Sequence, residues 1–474
     1  MIFGKECQSL LTILSLFSLS GCAVHQVNET PSLPVDSAQV RQYATFASAT
    51  ADGGKLSAVP AVPAVTAVAG AFWWQAFERP ELDLLIQQAL ADNPGLGQAM
   101  ERVRQARLLS RQSASRGKPE LSLQGAASRE WEGRQPDAWL WSAGLGAAWE
   151  LDLFQRLESQ RLSDRYSEQA RQADAELVAL SLSSEVANAY FGSVAAANKL
   201  QLLRQQVQLD QDLLDLIQLR RDQGVGTVVD VLQQESQLAE SQTLIPLAES
   251  ELRSFENLLD ILVGELPDGS NRIPDAEQLS FDARMPPLGV PADLLVQRPD
   301  LRAALADLVA ADASIGVAVA ERLPQLTLSG SVAEGATSSY EGVLSSLAAN
   351  FTGPLLDWGR RKAEVERRKS IYQEQLLRFT ELFLGAVEEV ETTLYQEQKQ
   401  REFLKRLRHR RDILQRAQEE SDARFKQGID DYLPVLTALQ SLREIERDLI
   451  DEQLELLQLR IRLHLVTGGR MPQI

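Results

Sequence analysis

The chain has few of the residues that build disulfide frameworks, metal sites or catalytic centres. Its 474 residues include only two cysteines, Cys7 and Cys22, so no disulfide framework can cross-link the later part of the chain. The three histidines, His25, His409 and His464, do not have the spacing of a zinc site. The sequence contains no phosphate-binding loop and no serine–histidine–aspartate context. We therefore expect a protein that is not an enzyme and that needs no metal and no cofactor.

An excess of basic residues is also lacking. The chain carries 66 acidic and 48 basic residues, which gives a formal net charge of -18. Binding to nucleic acid needs clustered lysines and arginines that neutralise phosphates, so we expect no nucleic-acid partner. The basic run 360–369 contains Glu364 and Glu366, and this mixture of charges predicts a solvated helix face.

Long apolar runs are scarce after the N-terminus, so the sequence predicts no transmembrane helix in the mature protein. Residues 1–21 contain the apolar core 10–17, which is typical of a secretory signal peptide. The end of this segment, Leu19-Ser20-Gly21-Cys22, resembles a bacterial lipobox, in which the cysteine is acylated and becomes the new N-terminus. An ordinary secretory signal with a chance cysteine is the alternative.

Acylation of Cys22 would anchor the chain stably in the membrane, because several acyl chains bind a bilayer firmly and a single acyl chain binds it only marginally. Ala23 stands where an aspartate would be the usual inner-membrane retention signal, and this resemblance predicts the outer membrane. Residues 22–80 are expected to form the acylated N-terminus and an extended tether. The run 59–65 within them is rich in Pro, Ala and Val and lacks helical or alternating polarity.

A duplication organises the rest of the sequence. Three pairs of residues share an offset of 205 positions: Pro94 and Pro299, Pro119 and Pro324, and Leu151 and Leu356. Gly224 and Gly428 stand 204 positions apart. A nearly constant offset over such a length predicts two structural repeats, at about 81–270 and 291–474. The segment 271–290 between them is rich in proline and predicts a linker.

Each repeat shows the same order of patterns: a helix, two strand-like segments, a very long helix, a turn marked by glycine, and another long helix. The first two helices of each repeat are expected at 81–117 and 157–223, and at 293–322 and 359–427. Pro94 should break the first of them. The very long helices have no proline and few glycines. About 65 residues at a rise of 1.5 Å correspond to about 100 Å of helix.

The strand-like segments alternate between apolar and small or polar residues. Leu121 and Leu123 share one face of the first segment, and Leu326 and Leu328 repeat this pattern in the second half. Each segment has about the length that crosses a bilayer as a tilted strand. Four tryptophans could form an aromatic girdle at the membrane surface: Trp131, Trp139, Trp141 and Trp149. A soluble hairpin packed on a core is the alternative.

Four strands in one chain cannot close a barrel, and an open sheet edge cannot lie in lipid. The sequence therefore predicts an oligomer. Three copies would supply about twelve strands, an even number that is compatible with a water-filled lumen. A barrel built from two or four copies would also have no open edge, so the sequence alone does not give the number of copies. Two adjacent apolar stripes on the last helix, 442–466, predict a helical neighbour on each side, as in a wall of helices.

Two segments resemble a known family. Residues 73–77 read Trp-Trp-Gln-Ala-Phe, and residues 290–304 are close to a family signature that includes Arg298, Pro299 and Asp300. With the repeat and the lipobox, these segments are similar to the TolC-like outer-membrane factor family, the efflux outer-membrane lipoproteins. The resemblance covers about residues 72–470.

The resemblance implies a mixed α and β membrane protein. In this fold a homotrimeric β-barrel of about twelve strands, four from each chain, is continuous with a long α-helical coiled-coil barrel. It also implies a lipid-anchored protein of the outer membrane that extends into the periplasm. The implied function is the exit channel of a tripartite efflux system. Small molecules, antibiotics among them, would arrive from an inner-membrane pump of the RND type through a periplasmic adaptor, the membrane fusion protein.

The turns after the very long helices should be the periplasmic tips. Gly224 and Gly428 follow these helices, where glycine is the expected C-terminal cap. In relatives, rings of inward-facing residues constrict the tips, and salt bridges tether neighbouring coiled coils. The resemblance points to five gate or tip residues here: Asp230, Asp430, Asp431, Leu433 and Thr437. Three arginines could act as tethering partners: Arg220, Arg221 and Arg424.

The chain departs from the family pattern at this gate. Leu433 stands where relatives place an apolar constriction, but Thr437 stands where many place an aspartate. Pro434 replaces a residue that is acidic in some relatives. These differences weigh against a cation-binding ring of aspartates.

Two other functions fit part of the sequence. One is the outer-membrane channel of a type I system that secretes a polypeptide. The other is a structural lipoprotein, a coiled-coil spacer without a pore, which would leave the duplicated strands unexplained. The lipobox and residues 290–304 favour small-molecule efflux through the resemblance. The sequence does not identify the cargo, because the pump, which is another chain, sets most of the selectivity.

Overall fold

The computed structural model describes residues 23–28, 72–130, 138–270, 279, 293–336 and 341–472. Cys22, the signal segment 1–21, Trp131, most of the predicted tether and most of the predicted linker lie outside the described residues. The side chain of Trp139 also lies outside them.

The first half begins with a short 3-10 helix, Trp73–Phe77. The elements that follow it are α1 (Pro80–Asp92), α2 (Pro94–Arg116), β1 (Glu120–Glu130), β2 (Ala138–Leu151), α3 (Arg156–Asp222) and α4 (Val228–Leu262). Asn93 has extended backbone angles, as expected before a proline, and Pro94 opens α2 as its first residue. The predicted break near Pro94 is therefore present.

The second half has the same order of elements. They are α5 (Leu294–Gln297), α6 (Pro299–Ala320), β3 (Gln325–Ala336), β4 (Glu341–Thr352), α7 (Arg360–Lys426) and α8 (Tyr432–Val466). Both α3 and α7 are 67 residues long, as the scarcity of helix breakers predicted. The sequence predicted an unbroken helix over 293–322, and this was wrong. Arg298 is extended ahead of Pro299, so this helix breaks as its counterpart does.

The four strands form one antiparallel sheet in the order β1-β2-β3-β4. Its register pairs Leu123 with Leu145, and Leu145 with Val332. The central pair, β2 and β3, joins the two halves of the chain. The edge strands β1 and β4 each pair with one strand within the described part of the chain.

The chain divides into two compact units. The first unit contains the sheet together with α6, the end of α2 and the starts of α3 and α7. Its helical core includes Leu308, Val309 and Ala313 on α6, all buried. By length and composition, α6 is apolar enough to cross a membrane, although the sequence predicted no such helix after the N-terminus. This composition is also that of a core helix, and 56% of its apolar window is buried inside the protein.

The second unit is built around an aromatic and aliphatic core. Trp73 and Trp74 of the predicted signature are buried in it, together with Leu82, Tyr190 and Ile461. The indole nitrogen of Trp73 donates to Ser183 Oγ over 3.0 Å, and that of Trp74 donates to Asp83 Oδ1 over 2.6 Å.

The second signature segment is also structural. Arg298 donates to both carboxylate oxygens of Asp300, over 3.0 Å and 2.6 Å, and to Glu389 Oε2 over 2.8 Å. The same guanidinium donates to the carbonyl oxygen of Val466 over 3.3 Å. The segment therefore ties the broken helix to α7 and to the end of α8. The domain boundaries inferred from the duplication stay a prediction.

Candidate channel wall and periplasmic tips

One face of the sheet exposes apolar side chains. Leu123, Leu145 and Val332 lie side by side in one row across three strands, and more than half of each side chain is exposed. The next rows of the same face add Leu121, Leu347 and Phe351. An exposed apolar band on a sheet is typical of a strand surface that contacts lipid.

The opposite face carries mainly small and polar side chains, with Leu344 exposed among them. One row on it contains Ser122, Gly146, Ser331 and Ser346. The hydroxyls of Ser331 and Ser346 are hydrogen-bonded across the two strands at 2.8 Å. A face of this kind suits a water-filled lumen, because its hydroxyls can exchange hydrogen bonds with water. The alternation read from the sequence thus becomes two chemically different surfaces.

The described tryptophans of the strands have different surroundings. Trp141 lies on the apolar face and is 43% exposed. Trp149 is half-buried, and its indole nitrogen donates to the carbonyl oxygen of Gly117 over 3.0 Å. Trp141 therefore has the exposure that a girdle residue needs, and Trp149 is engaged with the end of α2. The aromatic girdle stays a prediction.

The two tips, 223–227 and 427–431, turn in the same way. Gly224 and Gly428 have φ angles of +77° and +73°, in the left-handed region that favours glycine. At the first tip the amide of Gly224 donates to the carbonyl of Arg221, and the amide of Val225 donates to that of Arg220. The second tip repeats both bonds at the positions 204 residues later. This pattern caps the last carbonyls of α3 and α7.

At the first tip, Asp230 is part of a helix cap. The amide of Asp230 donates to Thr227 Oγ1 over 3.1 Å, and Asp230 Oδ2 accepts from the amide of Thr227 over 2.9 Å. This reciprocal pair satisfies two amides that have no partner inside α4. The carboxylate predicted as a gate residue therefore has a local structural partner.

At the second tip, Asp430 is paired with Arg424 of the same chain. The guanidinium Nε is 2.5 Å from Oδ2, and a second nitrogen is 3.1 Å from Oδ1. The hydrogen bond from Arg424 lowers the pKa of Asp430 below its usual value. Asp431 precedes α8, and its exposed side chain makes no cap hydrogen bond. The structure thus pairs one of the three predicted arginines with one of the predicted carboxylates.

The other two arginines are engaged elsewhere. Arg220 donates to the carbonyl oxygen of Phe425 over 3.3 Å, and its guanidinium carbon is 4.3 Å from the centre of the Phe425 ring. Arg220 therefore joins the first tip to the second within one chain. Arg221 pairs with the adjacent Asp222 over 2.6 Å.

Leu433 and Thr437 are both exposed on the first turns of α8. Leu433 is 57% exposed. Thr437 donates its hydroxyl to the carbonyl oxygen of Leu433 over 3.0 Å. Several other apolar side chains of the tips are exposed: Val225, Val228, Val229, Leu232 and Ile429. Exposed apolar side chains at this density indicate a surface that another protein chain covers.

Sequence reasoning missed a buried polar cluster, the Asp210 network, which joins α3, α4 and α8. The Asp210 carboxylate is fully buried and accepts hydrogen bonds from Arg443, from Ser241 Oγ over 2.7 Å and from Gln234 Nε2 over 3.1 Å. Gln234 Oε1 accepts a further bond from the Tyr432 hydroxyl. Burial raises the pKa of Tyr432, so it stays a donor.

The Asp210 network borders the apolar core of the tips. Tyr432 belongs to both, since it packs with Phe425, Ile217 and Val231. A weak signal for the network was present in the sequence. Gln234 and Ser241 stand seven positions apart, which is the seam spacing of a coiled coil.

The basic run matches its predicted surroundings, and His409 and His464 lie on the long helices α7 and α8. His409 is exposed, and His464 is buried in a helix seam against the ring of Trp73. Burial lowers the pKa of His464 to about 4, so the imidazole is neutral. In the run 360–369, Glu364 pairs with Arg367 over 2.6 Å and with Arg368 over 2.8 Å, as expected for a solvated helix face.

Comparison with known proteins identifies the family. The family model described as outer membrane efflux protein matches residues 85–265 and 290–469. The pyoverdine export outer membrane protein OpmQ of Pseudomonas aeruginosa is 31% identical, over 84% of this chain and 87% of that protein. The toluene efflux pump outer membrane protein TtgF of Pseudomonas putida is 27% identical, over 97% of this chain and 96% of that protein.

Solved structures share the fold. The cation efflux protein CusC superimposes with a TM-score of 0.80 at 23% identity, over 95% of this chain and 100% of that chain. The outer-membrane channel OprN has a TM-score of 0.78 at 24% identity, over 96% of this chain and 98% of that chain. The predicted fold class, a homotrimeric α and β channel with four strands per chain, is confirmed. The chain belongs to the outer membrane efflux protein family and forms the outer-membrane exit channel of a tripartite efflux system.

Proposed function

We propose that the tips of the three chains meet around the symmetry axis and hold the periplasmic end of the channel shut. Docking of a periplasmic adaptor then splays them open. The observation that carries this proposal is the second tip, where Asp430 is paired with Arg424 and exposed Leu433 follows three positions later. Under three-fold symmetry, one inward-facing Leu433 per chain makes a ring of three apolar side chains.

The tip residues divide by role in this gate. Leu433 forms the apolar constriction, with Thr437 one helical turn further on. Asp430 and Asp431 set the charge at the mouth. Asp230 holds the first turn of α4 through its bond with Thr227, and it acts on the gate by fixing that helix end. Gly224 and Gly428 allow the sharp turns.

The proposed partners are an inner-membrane pump of the RND type, the adaptor and the lipid of the outer membrane. The relatives support a duct without its own cargo selectivity, because their names refer to pyoverdine, a cation and toluene, which have little chemistry in common. We infer that the chain carries small molecules, performs no catalytic step, and is anchored by acylation of Cys22.

The gate is tested by single-channel conductance in planar bilayers. Charge reversal to lysine at Asp230, Asp430 and Asp431 together should raise the conductance of the isolated trimer, because it turns the attraction between position 430 and Arg424 into repulsion and removes the cap at the start of α4. The control reverses three exposed acids away from the turns: Asp212, Asp215 and Glu419. Equal conductance of the wild type, the tip variant and the control would show that these carboxylates do not contribute to the gate.

The transport function is tested in a clean deletion strain, in which redundant homologues have been excluded. We expect hypersensitivity to several unrelated toxic compounds, with rescue by the wild-type gene and weaker rescue by Cys22→Ser. Unchanged susceptibility together with a polypeptide missing from the medium would favour the type I secretion channel. No change in either would favour the structural lipoprotein.

A further inference from the structure

The segment Ala23–Asn28, which directly follows the proposed acylation site, is docked on α6. His25 Nε2 lies 3.0 Å from Asp312 Oδ1, and the backbone amide of Asn28 donates to Asp312 Oδ2 over 2.6 Å. The Asp312 side chain is only 9% exposed. Among the described residues, both hydrogen-bond partners of this carboxylate belong to the N-terminal segment. One buried carboxylate thus holds the segment at two points.

A glycine beside this contact lets α6 pack closely on α3. Gly316 stands one helical turn after Asp312. A Cβ atom at Gly316 would lie 2.7 Å from Ser159 Oγ and 3.4 Å from His25 Cδ2. A side chain at Gly316 would therefore push against Ser159 of α3, whereas its distance to the imidazole is an ordinary contact.

The internal repeat has a residue of opposite charge at this position. Arg107 occupies the position equivalent to Asp312, 205 residues earlier, and its Nε lies 3.2 Å from Glu168 Oε1. At this position the first repeat therefore makes a salt bridge between α2 and α3. In the second repeat the same position carries the opposite charge and bonds to the N-terminal segment instead. The difference points to a role for Asp312 outside the shared fold.

We propose that Asp312 is a positioning residue that docks the segment behind the acylated cysteine and thereby sets where the acyl chains enter the membrane. This inference rests on the proposed acylation of Cys22. Three residues span at most about 10 Å of extended chain, so docking at His25 keeps Cys22 within that distance of the dock. Asp312 lies 13 positions before Gln325, where β3 begins. The acyl chains consequently enter beside the lipid-facing strands, without the freedom of a long tether.

The proposal is tested by spin labelling of the N-terminal segment. Cys7 belongs to the predicted signal peptide and the thiol of Cys22 is consumed by acylation, so Gln26→Cys adds the only free thiol. Gln26 is exposed and suits a label. The spectrum of the labelled trimer should be immobilised. Asp312→Ala should convert it to a mobile spectrum, and Ser314→Ala, on the same helix, should leave it immobilised.

Two outcomes would overturn the dock. One is an immobile label in the assembled Asp312→Ala trimer, and the other is a label that Ser314→Ala mobilises as strongly. If the Asp312→Ala chain fails to assemble, His25→Ala tests the dock in its place, because this substitution alters only the N-terminal segment. His25→Ala should mobilise the label and His25→Gln, which keeps an N–H donor, should restore it. An immobile label in His25→Ala would reject the proposal.

Acylation is measured separately. The intact mass of the purified chain shows whether Cys22 carries acyl groups, and the number of labels per chain shows whether a second thiol is free. An unacylated chain with an immobilised label would reject the proposed anchor and leave the dock standing. An acylated chain whose label is mobile in the wild type would reject the dock and leave the anchor standing.

Discussion

The two tips of the chain share a backbone and differ in their polar chemistry. Gly224 and Gly428 have nearly the same positive φ angle and the same capping hydrogen bonds. At the first tip, the carboxylate of Asp230 is committed to the amide at the start of α4. At the second tip, Asp430 bonds to a side chain, that of Arg424. A duplicated turn has thus kept its geometry, while the carboxylate that follows the turn caps a helix in one copy and pairs with an arginine across the turn in the other.

This difference indicates a division of labour. A carboxylate in a helix cap stabilises the helix end and has little freedom to respond to a partner. Breaking an exposed ion pair costs little free energy, because water and other charges replace its partners. The first tip is therefore suited to be a fixed support and the second to be the part that rearranges. Both rest on the Asp210 network, which holds α3, α4 and α8 together.

The largest expected effect comes from removing the common support of the two tips. Arg443→Ala leaves the buried Asp210 carboxylate without its cation, which should destabilise the tips by about 3–5 kcal/mol. Hydrogen exchange should then accelerate at both tips, while the amides of the Trp73 core keep their protection. The double variant Asp210→Leu and Arg443→Leu leaves no unpaired charge and should be milder. A single variant that is no worse than the double would show that the pair is not a support.

A smaller effect should distinguish the two helix starts. Thr227→Ala removes the cap of α4 and should cost about 1 kcal/mol, seen as faster hydrogen exchange in the first turn of that helix. Asp431→Ala, at the equivalent start of α8, should change exchange less, because the Asp431 side chain makes no cap hydrogen bond. Equal effects at the two tips would contradict the division of labour.

The smallest effect is a dependence on pH that belongs to the second tip. The pKa of Asp430 is lowered in the folded protein, so the pair with Arg424 contributes stability above the ordinary aspartate value of 3.8. That contribution is lost as the pH falls below 3.8 and through the folded pKa. Channel conductance should rise in this acid range in the wild type. Asp430→Asn should already conduct at neutral pH and lose this step, and an unchanged step in Asp430→Asn would assign it to another group.

Much of the fold could be predicted because its signals are local. The absence of proline and the scarcity of glycine predicted α3 and α7 to within one residue at each end. Alternation of side chains predicted the strands, and the constant offset predicted that each half of the chain contributes two of them. The break ahead of Pro299 was missed because the apolar pattern runs on through it, although the restriction that a proline places on the residue before it was readable.

The candidate site was less predictable, because burial and pairing depend on which helices come together. The sequence offered three arginines near the tips, and only the folded chain shows that Arg424 reaches Asp430, while Arg220 lies over Phe425. The Asp210 network was missed because an aspartate and an arginine 233 positions apart give no local sign of a shared buried site. The same holds for His25 and Asp312, which are 287 positions apart.

The amino-acid sequence by itself determined the duplication, the long helices, the alternating strands and the glycine turns. Each follows from residues near one another in the chain, through backbone sterics and the periodicity of helix and strand. Only the tertiary structure decided which charges are paired, which carboxylate caps a helix, and which surface receives the N-terminal segment. Those outcomes depend on distances of a few ångströms between remote residues and on the exclusion of water from the space between them.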